Sequence, residues 1–204
     1  MTVYAQWLDT YCAGFDRAIL QFYHGMAEAI GVIATPILWL ISMIGEEGIG
    51  LIIFGIILLC FKKTRKSGWA VLVALLFGTL ITNETVKPVV LRLRPFQSGV
   101  SEYVEWWQYV GAMEVGQFSF PSGHTTSAVA AMLALAVTMQ KEWKWIWWPA
   151  VAFVVLTGMS RNYFMVHYPT DIIGGAVSGL IAGVLAILFI EAICKYVVPK
   201  FKRA

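Results

Sequence analysis

The sequence predicts an all-α fold, a polytopic membrane bundle of about six transmembrane helices. Composition and spacing predict it. Of 204 residues, 59% are hydrophobic and only 13% charged, against about 25% charged in a typical soluble domain. The apolar residues also gather in runs of roughly 15 to 20, long enough to cross or nearly cross a hydrocarbon core. Third, the lysines and arginines collect in alternate connections between those runs, as they do in proteins that cross a bilayer repeatedly.

Six spans are expected. The first runs from Ala27 to Ile44 and contains Glu28 and Pro36. The second, Ile49 to Phe61, is short, so its helix is expected to extend to either side. The third runs from Trp69 to about Thr85, the fourth from Ser122 to Met139, the fifth from Trp145 to Met159 and the sixth from Thr170 to about Ile190. Residues 1–26 read as an amphipathic segment at the interface, with Ile19, Leu20, Phe22 and Tyr23 among polar neighbours. Residues 27–204 read as one membrane-embedded domain, too short for a second. Asp9 and Asp16, with no basic n-region, argue against a cleavable signal peptide.

Orientation follows from the basic residues. Lys62, Lys63, Arg65 and Lys66 lie between spans two and three, and Lys141 and Lys144 between four and five. Lys195, Lys200, Lys202 and Arg203 follow span six. The positive-inside rule puts these on the cytoplasmic side, where Trp69, Trp143, Trp145, Trp147 and Trp148 form an aromatic belt. Lys87, Arg92, Arg94 and Arg161 map to the opposite face, beside a loop that carries Glu102, Glu105 and Glu114. Cations misplaced at span ends call for an anionic ligand or a buried partner. Glu84, one helical turn before Lys87, is a candidate partner for it.

Other readings are narrowed. A net charge of +3 without a basic stripe excludes a nucleic-acid partner. Cys12, Cys60 and Cys194 show neither metal spacing nor a disulfide framework and read as buried small apolar residues. Gly175, Gly179 and Gly183, four residues apart, form a ladder for close helix packing within the bundle. No internal repeat is evident, which weighs against a transporter built from inverted repeats.

Three short segments fall on the outer side. The first is Lys87-Pro-Val-Val-Leu-Arg-Leu-Arg94-Pro95, the second Pro121-Ser122-Gly123-His124. The third is Ser160-Arg161, five residues, His167, three residues, Asp171. Lys87, Arg94 and Arg161 offer positive charge and donors to phosphate oxygens. Ser122 is a natural helix N-cap, Gly123 permits close approach, and the free N–H groups behind them suit an anion. His124 and His167 can serve as acid and nucleophile near neutral pH. Asp171 could accept a hydrogen bond from one imidazole nitrogen and leave the other free to attack. Arg92 is suited equally to a second phosphate and to anchoring a helix end. A small channel or transporter would explain the spans, but not two histidines and three cations in this spacing.

In order and spacing these segments resemble the motifs of the type-2 phosphatidic acid phosphatase superfamily, which also includes vanadium-dependent haloperoxidases and glucose-6-phosphatase. All three parts match without gap or substitution between residues 87 and 171. The resemblance implies catalytic roles for His124, His167 and Asp171: His167 forms a phosphohistidine, Asp171 orients it, and His124 protonates the leaving oxygen and then activates water. It implies phosphate binding by Lys87, Arg94, Ser122, Gly123 and Arg161, with no metal and no cofactor. The expected enzyme is a membrane lipid phosphatase of bacterial type, with its active site at the extracytoplasmic ends of the helices. Undecaprenyl diphosphate ranks first as substrate, with phosphatidylglycerol phosphate and phosphatidate as alternatives.

Overall fold

The computed structural model describes residues 2–45, 48–116 and 118–197, and among these the regular structure is entirely helical. Helix α1 is Val3–Tyr11 and α2 is Ala13–Gly45, one element with a kink at Ile30. Helix α2 therefore begins well before the first expected span. Its early turns are packed, not peripheral: Asp16 and Leu20 are buried. Leu20, Ala27 and Leu38 form one cluster with Tyr103, Trp106 and the segment from Tyr163 to Tyr168.

Helix α3, Ile49–Leu59, does not extend as expected. Gly48, in the left-handed conformation at φ 74°, precedes it, and Cys60 closes it. Its 11 residues rise about 16 Å at 1.5 Å each. Helix α4, Arg65–Thr79, continues through a π-helical stretch, Leu80–Val86, into the short α5, Lys87–Val90. The wide register has a local cause. Pro88 lacks an N–H to continue the ladder, and the Lys87 N–H reaches back to Thr82 O, five residues away. Leu91, at φ 52°, ends the helix in the left-handed region and turns the chain into an extended run.

Helix α6, Ser101–Tyr109, lies in the outer loop. Helices α7, α8 and α9 are Gly123–Met139, Trp147–Tyr163 and Pro169–Ala192. Helix α8 runs four residues past the expected end. Ser160, Arg161, Asn162 and Tyr163 are polar or amphipathic but buried and bonded within the bundle, so their polarity does not stop the helix.

Small residues decide which helices meet. A Cβ at Gly175 would lie 2.6 Å from Ser122 O, one at Gly179 2.7 Å from Thr126 O, and one at Gly183 2.9 Å from Leu133 Cδ2. The glycine ladder thus seats α9 on α7 within one chain. Ala70, Ala74, Ala130, Ala134, Ala182 and Ala186 extend this close contact to α4. Without a hydrophobic drive between helices in lipid, such packing is what holds them.

Among the described residues, three helical stretches are long and apolar enough to cross a membrane: Ala13–Gly45, Arg65–Gln97 and Pro169–Tyr196. Ile49–Leu59 and Gly123–Met139 are shorter apolar helices. Their outer faces carry exposed Val32, Ile33, Ile53, Val177 and Leu188, an apolar coat larger than a water-soluble monomer presents. Cys60 and Cys194 lie on the exterior and Cys12 is half-buried, so the expectation that all three are buried fails. Each is small enough to be accepted on an apolar surface.

Two ends are distinguishable. At one, Lys66 Nζ meets Glu191 Oε1 at 2.5 Å and Thr138 Oγ1 donates to Ser67 Oγ at 2.9 Å. This gathers the first turn of α4 with the C-terminal turns of α7 and α9. At the other, Arg17 pairs with Glu102 at 3.0 Å, a fifth basic residue on the side of the motifs. Lys200, Lys202 and Arg203 lie outside the described residues.

Candidate active site

A cavity of about 420 Å³ opens at the motif end. Lys87, Arg94, Gly123, His124, Arg161 and His167 line it together, so the three segments converge as their spacing suggests. Each arrives by a different device.

Lys87 follows the π-helical stretch and projects toward the start of α7: a Cβ at Gly123 would lie 3.8 Å from Lys87 Nζ. Glu84 forms no ion pair with it among the described residues and is exposed, so the one-turn pairing is not made. Beyond Leu91 the chain leaves the helix and runs to the 3₁₀ turn Pro95–Gln97. Arg94 enters the cavity. Its Nε donates to Gly116 O at 2.6 Å and its Nη1 to Val166 O at 2.6 Å, with His167 Nε2 3.2 Å away.

Arg92 points the other way. Its Nε donates to Asp9 at 2.8 Å, Nη1 to Thr170 at 2.7 Å and Asp171 at 2.8 Å, and Nη2 to Asp16 at 2.8 Å. With 1% of its side chain exposed, four of its five N–H donors engaged and no place in the cavity wall, it does not meet a second phosphate. Of the two roles the sequence allows, it anchors.

Ser122 is the N-cap of α7. Its hydroxyl accepts from Thr125 N at 3.4 Å and from Thr125 Oγ1 at 3.1 Å. It is fully buried and does not reach the cavity wall. The cap frees its neighbours: the Gly123 and His124 amides, in the first turn, have no acceptor among the described residues. These are the donors that a helix start offers an anion. His124 Nε2 is likewise without a partner. Gly45 explains how the ring fits, since a Cβ there would lie 3.0 Å from His124 Cδ2.

Arg161 sits in the last turn of α8, with Nη1 donating to Ser42 Oγ and 3.6 Å from Met113 Sδ. His167 lies on the buried connection between α8 and α9. Asn162 Nδ2 donates to His167 O at 2.9 Å, and Met165 turns the chain at φ 56°. Such a residue in the left-handed region is held there by its surroundings. Burial, then Arg94, Arg161 and Lys87, depress the His167 pKa well below the usual histidine range, so the ring is neutral near pH 7. Its tautomer follows from its neighbours. A guanidinium can only donate, so Nε2 facing Arg94 carries the lone pair and Nδ1 the proton.

Nδ1 is 3.5 Å from Asp171 Oδ2 and 3.4 Å from Ser119 Oγ. The expected aspartate–histidine contact is therefore loose, and Ser119, which the spacing of the motifs did not single out, stands beside it, donating to the same carboxylate oxygen. Asp171 Oδ2 also accepts from Tyr168 N at 2.8 Å, which caps α9. Glu114, placed by the sequence only in an acidic loop, reaches the cavity rim with Asn83 and Ser127. A second cavity of about 390 Å³ shares Asn83, Lys87 and Gly116 with the first and is otherwise lined by Pro88, Leu91 and Phe118.

Residues 67–194 match the PAP2 superfamily. A lipid A 4'-phosphatase from Porphyromonas gingivalis is 33% identical over 130 residues, 61% of this chain and 53% of that one. An undecaprenyl-diphosphatase from Sulfolobus acidocaldarius is 31% identical over 123 residues, 60% of this chain and 55% of that one. The chain thus spans about half the length of these curated relatives. The crystal structure of a transmembrane PAP2-type phosphatidylglycerolphosphate phosphatase from Bacillus subtilis superposes with a TM-score of 0.70 at 24% identity, covering 95% of this chain and 94% of that one. This last is a likeness of fold.

Proposed function

Since the chain belongs to the PAP2 superfamily, we propose that it is a metal-independent membrane phosphatase acting on a lipid phosphate or diphosphate. The observation that carries the reading is the convergence of Lys87, Arg94, Arg161, His124 and His167 on one cavity beside the free amides of α7. In the first step His167 Nε2 attacks phosphorus, the bond from phosphorus to the leaving oxygen breaks, and His124 gives that oxygen its proton. In the second, His124 takes a proton from water, the water oxygen attacks, and the phosphorus–nitrogen bond breaks to release inorganic phosphate. The three cations and the α7 amides hold the oxygens on which charge gathers. Asp171 keeps the Nδ1 proton in place.

The expected result is phosphate release from a lipid phosphate by purified protein in detergent, undiminished by EDTA and inhibited by vanadate, whose trigonal-bipyramidal form matches the transition state. Activity lost in EDTA and restored by magnesium would overturn the mechanism. Undecaprenyl diphosphate is the first choice of substrate: the relative from Sulfolobus bears that activity in its name, and the apolar cavity beside Lys87 suits a hydrocarbon chain. Phosphatidylglycerol phosphate and phosphatidate are the alternatives, and a release assay across the three lipids ranks them.

The proposed arrangement is six spans with the site on the extracytoplasmic side and α1 lying at the interface. Supporting it are the separation of the basic connections from the motif end and the exposed Tyr4, Trp7 and Tyr11 of α1. With Cys12, Cys60 and Cys194 replaced, Ser101→Cys is expected to react with an impermeant maleimide in intact cells, and Lys63→Cys only after permeabilisation. Both positions are exposed. The reverse labelling would place the chemistry on the cytoplasmic leaflet.

A further inference from the structure

We infer that the N-terminal helices hold the nucleophile in register: Asp16, acting through Arg92, positions Asp171 and thereby His167. Asp16 and Asp9 precede the region that matches the family, which begins at residue 67, yet they meet its centre. Asp16 Oδ2 accepts from Arg92 Nη2 at 2.8 Å and from Thr170 Oγ1 at 2.8 Å, while Oδ1 accepts from Thr170 N at 3.0 Å. One carboxylate thus grips both Arg92 and the backbone immediately before Asp171. The guanidinium carbon also lies 3.9 Å from the centre of the Tyr168 ring.

The two oxygens of Asp171 divide the work. Oδ2 is bonded by Ser119 and by Tyr168 N. Oδ1 is bonded by Arg92. Arg92 therefore fixes the second point that sets the plane of the carboxylate, and with it the direction of Oδ2 toward His167 Nδ1. Side-chain exposure is 1% for Arg92, 1% for Asp16 and 0% for Asp171, so removing one partner leaves an uncompensated buried charge. Arg92 lines a pocket with Asp9, Asp16 and Tyr103 on the far side from the phosphate cavity. It is a positioning residue, and its loss should lower kcat and leave KM alone.

The inference rests on His167 as nucleophile. Asp16→Asn and Arg92→Lys are each expected to lower kcat about ten- to a hundredfold, as a small misplacement of a reacting group does, with KM unchanged. Acting along one chain of contacts, the double variant should be no slower than Arg92→Lys alone. Thermal unfolding in detergent reports whether each variant is folded. Should Asp16 variants not fold, Asp9→Asn decides the matter: its carboxylate is 32% exposed, and a fall in kcat of about two- to fourfold is expected. Unchanged kcat, a raised KM, or additive losses in the double variant would overturn the inference. An active His167→Ala would instead remove the underlying mechanism.

Discussion

Replacing His167 with alanine is expected to reduce turnover by roughly 10⁴-fold or more, while a lipid phosphate still binds within a few-fold of wild type. In the proposed mechanism the imidazole makes the bond that the reaction passes through, whereas affinity is assigned to Lys87, Arg94, Arg161 and the α7 amides that line or border the cavity. The surrounding loop keeps its anchors, because Asn162 bonds the backbone carbonyl at position 167 and Arg94 that of Val166. Phosphate release measured beside equilibrium binding of a lipid phosphate separates the two effects. Turnover near wild type in a clean preparation would remove His167 as nucleophile.

Asp171→Asn is expected to lower kcat by roughly 10³- to 10⁴-fold, the scale seen when an orienting aspartate is replaced by its amide. It should also destabilise the protein. Every neighbour of the Asp171 carboxylate is a donor: the Arg92 guanidinium, the Ser119 hydroxyl and the Tyr168 amide. An asparagine presents one oxygen and one NH₂ group, so whichever way it turns, a donor meets a donor. An unmet buried polar group of this kind costs about 1–3 kcal/mol, and Arg92 loses one of three anionic partners besides. Steady-state rates together with thermal unfolding in detergent check both parts. A variant as active as wild type would show that the tautomer of His167 is set by Arg94 alone.

The sequence made the chemical residues legible because motif spacing survives folding. Lys87, Arg94, His124, Arg161 and His167 were readable as one group, and they share one cavity. The supporting contacts were not readable, for physical reasons. Ser119 lies 52 positions from Asp171, and nothing in a lone serine near a proline announces its partner. Asp16 sits in a segment whose apolar residues suggest a membrane surface, and its burial depends on Arg92 arriving from 76 positions away. The fate of Arg92 had no signal in the spacing either. It stands two residues before Arg94, and like parity in an extended run would put both on one face. What separates them is the cluster of Asp9, Asp16 and Asp171, two of whose members come from the distant N-terminal helices. Helix ends were least legible. The polar neighbours of Ile19, Leu20, Phe22 and Tyr23 set residues 1–26 apart from the first span, yet one helix, kinked at Ile30, runs from Ala13 to Gly45, and the polar end of α8 continued because its side chains were satisfied inside.

The π-helical stretch Leu80–Val86 makes the aim of Lys87 a matter of chain length. A wide turn takes up more residues than an α turn, and each surplus residue amounts to about 100° of rotation around the helix axis. Everything after Val86 is out of phase with α4 by that amount. The stretch is in effect an insertion absorbed by the backbone. Substitutions within it that keep the chain length leave the lysine facing the cavity. Removing a single residue would let the α ladder close and leave Lys87 facing Gly123, whereas closing the ladder at full length would swing it about 100° away.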